Sequence, residues 1–147
     1  MERNEFIELV DKKIKLIRTE KNITQDKMAK ILGISKKTLI QIEKGRSSLG
    51  WTCAVAVCTI FKESEILDAA FGGDVTFIIQ SLAFNNYNIE YGKTMGGKIW
   101  WKDIDEKDGY KIQQNIISNH YRILDSDDRR ICSTFDYQYI EMRFKEL

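Results

Sequence analysis

A chain of 147 residues, 43% hydrophobic and 31% charged, has room for one good core or two small ones and the balance of an ordinary globular protein. No apolar run approaches the roughly 20 residues that span a bilayer. The opening Met1 to Phe6 lacks a charged-then-apolar signal pattern, so the reading is cytoplasmic with no membrane partner. The net charge of +1 hides an asymmetry: residues 1–62 carry 13 Lys and Arg against 7 Asp and Glu, a balance of +6, and residues 63–147 carry 10 against 15, a balance of −5. A basic front half points to a polyanion met at one end of the chain.

The elements follow in order. Phe6, Leu9, Val10, Ile14 and Ile17 recur at helical steps and predict an amphipathic helix over 6–21, stopped at Asn22. Thr24 is an N-cap for a second helix, Gln25 to Leu32, which Gly33 ends by supplying a positive φ. Ser35 caps a third, Lys36 to Lys44, closed by Gly45, with Leu39 and Ile42 facing its core side. After a loop, Trp51 to Phe61 reads as a buried fourth helix and Ser64 to Phe71 as a short fifth. Gly72-Gly73 is a break, Asp74 caps a helix over 75–84, and Asn85 to Asn88 is the candidate linker. Beyond it, Lys98 to Lys102, Tyr110 to Ile117, His120 to Leu124 and Arg129 to Thr134 read as short strands. Asp103 to Gly109 and Asp125 to Asp128 read as polar turns between them, which favours an antiparallel meander. Tyr137, Ile140 and Phe144 space a terminal helix within 136–147.

The stretch Ile23–Gly45 carries the most specific signal. Two helices joined by a tight turn can present the second to a DNA major groove. That job needs a glycine in the turn, which is Gly33, and a small residue where the helices approach, which is Ala29. It also needs long polar donors on the outward side of the second helix, and Lys36, Lys37, Thr38 and Gln41 supply them. Lysine bonds guanine O6 and N7, and glutamine pairs with adenine.

From about Ile14 to Arg46 without a gap, and more loosely to about Phe71, the chain resembles the Xre/Cro family of helix-turn-helix proteins, which includes lambdoid phage repressors. Gln25, Ala29, Leu32, Gly33, Ser35, Glu43 and Gly45 stand in register with the family pattern. The resemblance implies a five-helix bundle over 1–71; with the elements read beyond it, a connecting helix and linker over 72–88 and a small strand-rich domain with a C-terminal helix over 89–147, the chain reads as an α+β protein. The resemblance also implies a repressor-like transcriptional regulator that binds double-stranded DNA as a homodimer on a near-palindromic operator. The implied DNA-binding residues are Gln25, Ser35, Lys36, Lys37, Thr38, Gln41, Lys44 and Arg46. Gln25 would meet a phosphate and brace helix three, Arg46 would meet a phosphate, and Lys36, Lys37 and Gln41 would meet bases. Arg18 and Glu43 match a structural ion pair between helices one and three. Ile40 departs from the family, standing where a polar residue is common, and so does Leu49-Gly50-Trp51, where a proline is usual.

The acidic second half lies outside the resemblance. The alternative reading places the main function there, as an antitoxin or mobile-element accessory protein that binds a protein partner through 89–147. Trp100 and Trp101, if both lie on a strand, point to opposite faces, one toward a core and one toward a cover or a partner. Cys53, Cys58 and Cys132 form no C-x-x-C pair and read as reduced core residues. His120, the lone histidine, has no metal or catalytic companion. The aspartates at 103–105 and 125–128 lack the glycine and glutamate of a calcium loop. The chain is therefore read as no enzyme, with no metal and no cofactor.

Overall fold

The computed structural model describes residues 1–84 and 99–147. The candidate linker at Asn85–Asn88, Gly96-Gly97 and Lys98 lie outside them. Among the described residues are seven helices and one four-stranded antiparallel sheet: α1 Arg3–Glu20, α2 Gln25–Leu32, α3 Lys36–Glu43, α4 Gly50–Ile60, α5 Glu65–Phe71, α6 Val75–Phe84, β1 Trp101–Lys107, β2 Tyr110–Asn115, β3 Tyr121–Leu124, β4 Arg130–Thr134 and α7 Tyr137–Lys145. The class is α+β. Six helices precede the sheet: five through Phe71, and α6, which belongs wholly to neither of the two compact units, Glu2–Thr76 and Phe77–Leu147.

The helical unit is built on α1. Phe6, Val10, Ile14 and Ile17 form its buried stripe, and α3, α4 and α5 pack against it. Phe6 meets Trp51 and Phe71, with ring centroids 5.6 and 5.2 Å away. Polar side chains of α1 also hold the starts of later helices. The Glu20 carboxylate accepts hydrogen bonds from the Ser64 hydroxyl and the Glu65 amide. Asp11 accepts one from the Leu49 amide at 2.9 Å, directly before α4. An orphan N–H at a helix start needs a partner, and α1 supplies one to Leu49.

The sheet unit is a meander in the order β1-β2-β3-β4. Ile112, Ile123 and Cys132 on one face meet Ile140 and Phe144 of α7. The other face is polar and largely buried. There the Gln113 amide donates to Asp103 at 2.7 Å, and the Arg122 guanidinium donates to Gln113 at 2.9 Å while lying 3.8 Å from the Trp101 ring. Burial pulls Arg122 down to about 10, against the opposing charges of Asp128 and Asp103.

Two sequence expectations change in this unit. Asp103 to Gly109 is not a turn: residues through Lys107 belong to β1, and only Asp108-Gly109 turns. Both turn residues have positive φ, 50° and 83°, between the paired Lys107 and Tyr110. Asp-Gly is the strongest short hairpin signal, since a two-residue turn matching strand twist requires that geometry. The acidic run tolerates strand pairing because β1 is an edge strand, mostly exposed, with an irregular register between Asp103 and Asp105. Trp100 precedes β1 in a turn, so the two tryptophans do not alternate along a strand. Its carbonyl accepts the Ile116 amide, while Trp101 packs edge-on against His120 at 4.8 Å.

Cys53, Cys58 and Cys132 are free thiols. Burial pushes Cys58 up to about 12 and Cys132 up to about 11. Asp125 spends a carboxylate oxygen on the Asp127 and Arg129 amides of its own turn. No group of three metal-ligating side chains occurs among the described residues. Among the described residues no single helix is long and apolar enough to cross a membrane.

Candidate nucleic-acid interface

The two helices of the motif form as their caps dictate. Thr24 Oγ1 accepts the Lys27 amide at 3.2 Å and Ser35 Oγ accepts the Thr38 amide at 3.0 Å. Gly33, at φ 70° and ψ 29°, ends α2 in the left-handed conformation that a side chain rarely adopts. Leu39 and Ile42 anchor α3 with exposures of 0% and 2%, so its opposite side faces water.

A buried carboxylate sets the angle of α3. Glu43, its side chain 4% exposed, accepts Arg18 Nε at 2.5 Å and Nη2 at 3.3 Å, and Gln25 Nε2 at 2.8 Å. Arg18 also donates to the Ile23 carbonyl. One carboxylate thus ties α3 to α1 and to the first residue of α2. Burial pushes the Glu43 pKa up, but the bonds from Arg18 and Gln25 outweigh it and hold the carboxyl below its usual range.

The structure brings Lys36, Lys37, Gln41 and Lys44 onto the outward side of α3, with Arg46 just beyond its end; all but the half-buried Gln41 are exposed. Gln25 is turned inward onto Glu43. The Ser35 and Thr38 hydroxyls bond each other at 2.8 Å at the start of α3. Lys36 meets Asp26 at 3.1 Å. Lys37, Lys44 and Arg46 form no ion pair among the described residues. Sequence reasoning overlooked Asp26: it stands ten residues from Lys36, and only the packing of α2 against α3 brings them together. Lys15 of α1 also lines the concavity beside α3, with Arg18, Lys36 and Lys44.

Helix, tight turn and a braced second helix with an outward cationic stripe define a helix-turn-helix unit. In agreement, a family described as "Helix-turn-helix domain" matches residues 12–62. That match supports DNA binding by this half of the chain. No curated protein matches the chain. No solved structure matches it either.

Proposed function

We propose that the protein is a sequence-specific transcriptional regulator of the Xre/Cro type, repressor-like in action, that inserts α3 into the major groove and binds a near-palindromic operator as a homodimer. The observation that carries this reading is the stripe of Lys36, Lys37, Gln41 and Lys44 on a helix locked from behind by the Arg18–Glu43–Gln25 cluster. A braced helix holds its donors in one register, and base readout requires that. Arg46 and the exposed lysines beside the motif meet phosphates, while Lys37 and Gln41 meet bases. Gln25 and Lys36 each already hold a carboxylate, so their DNA contacts form by exchange or sharing of those bonds.

Two half-sites on one duplex face lie about 10 base pairs apart, centre to centre. Duplex selection from a random pool, followed by titration at two salt concentrations, tests the reading. Affinity falls steeply with salt, and Lys44→Ala lowers the logarithmic salt slope by about 1. Lys37→Ala or Gln41→Ala relaxes the selected sequence while the fold stays intact. Unchanged specificity in both variants overturns the assignment of α3.

A further inference from the structure

We infer that Ile40 is a specificity-determining side chain that reads the C5-methyl group of a thymine in each half-site. The inference rests on the DNA reading above and adds one base identity to it.

Ile40 lies four residues from both Lys36 and Lys44, so helical spacing places it between them on one edge of the outward stripe. It is half-buried, unlike the core residues Leu39 and Ile42 on the same helix. It lines an open concavity of about 520 Å³ formed by α1, α2 and α3, together with Lys15, Arg18, Gln25, Asp26 and Lys44 among others. Every other side chain lining that concavity is polar or charged. An aliphatic group in such a ring keeps water contact in the free protein and gains only when an apolar partner arrives.

The surroundings determine which partner fits. A hydrophobic protein surface pressed onto Ile40 would have to desolvate the exposed Lys36–Asp26 pair and the Lys44 ammonium, which forms no ion pair among the described residues. A DNA groove offers the opposite: phosphates for the lysines and, on its floor, the thymine methyl, the apolar group that distinguishes thymine there. Ile40 lies toward α2 rather than at the crest with Lys37.

Replacing thymine by deoxyuridine at each position of the selected half-site removes that methyl and leaves the hydrogen-bonding pattern unchanged. With the wild-type protein, one thymine per half-site loses about fourfold in affinity on replacement, the value expected for one buried methyl-sized group. With Ile40→Ala the two duplexes bind alike, and the salt slope is unchanged because no phosphate contact is lost. The wild-type arm changes only the DNA, so it does not depend on how the variant folds. Salt-dependent binding with no methyl effect at any position overturns the role of Ile40 alone. So does an undiminished thymine preference in Ile40→Ala. Absence of salt-dependent binding overturns both this inference and the DNA reading beneath it.

Discussion

The two units treat positive charge in opposite ways. The helical unit spreads Lys36, Lys37, Lys44 and Arg46 over its surface and holds inward mainly the Arg18 that braces α3. The sheet unit takes Arg122 and Arg130 inside, at 4% and 1% exposure. An exposed cation remains available to a polyanion, whereas a buried one is engaged in holding its own fold. The comparison shows that a count of basic residues does not locate an interface; their solvent access does.

Breaking the one inward charge cluster of the helical unit has the largest expected effect. Glu43→Ala leaves the Arg18 guanidinium without its carboxylate and frees Gln25, at a cost of about 3 kcal/mol. Urea denaturation gives the loss, and hydrogen exchange localises it to α1–α3. A loss below about 1 kcal/mol would show that the cluster does not brace α3. The lowered Glu43 pKa adds a sign: its contribution is present at neutral pH and disappears as pH falls through its folded value, below the ordinary carboxylate range.

Acid sharpens the contrast from the other side. His120 sits 2% exposed between the Trp101 and Phe135 rings, its Nδ1 2.6 Å from the Ser118 hydroxyl. Burial first, then the Arg122 and Arg130 charges, pull it from 6.5 down to about 3. Between those two values the unfolded chain holds a proton that the folded chain does not. Stability of the sheet unit therefore falls as pH drops from 6.5 toward 3, by at most about 1.4 kcal/mol per pH unit from this residue. The difference between wild type and His120→Gln across that range isolates the effect, and a flat difference would place His120 in water.

The smallest effect tests local structure alone. Ser35→Ala removes the cap of α3 and costs about 1 kcal/mol. Amide exchange speeds up in the first turn of α3 and stays unchanged throughout the sheet unit. Faster exchange in the sheet would mean the two units do not unfold separately.

Local signals carried the helical half far. Thr24, Ser35, Gly33 and the spacing of Phe6, Val10, Ile14 and Ile17 act within a few residues, so α2 begins and ends where its cap and glycine say, and α3 begins at its own. Val75–Phe84 is likewise legible from its apolar stripe and the break before it. The strand half was less legible, because an edge strand such as β1 receives its partner from β2 and can be acidic along its length. Asp108-Gly109 fell inside the stretch read as a turn, while the aspartates before it hid the strand that runs through Lys107.

For the site, the sequence alone determined which side chains stand on the outward side of α3, since helical spacing decides that once Leu39 and Ile42 are placed inside. Tertiary structure alone decided what each of them is doing in the free protein. Gln25 turns onto Glu43, Asp26 reaches Lys36, and Ile40 lies in a concavity whose other lining side chains are polar or charged. Likewise, a polar composition along β2–β4 could not reveal that Arg122 and His120 are buried. Spacing within a helix is set by local backbone geometry, whereas partners ten or more residues away depend on how separate elements pack, and no local pattern encodes that.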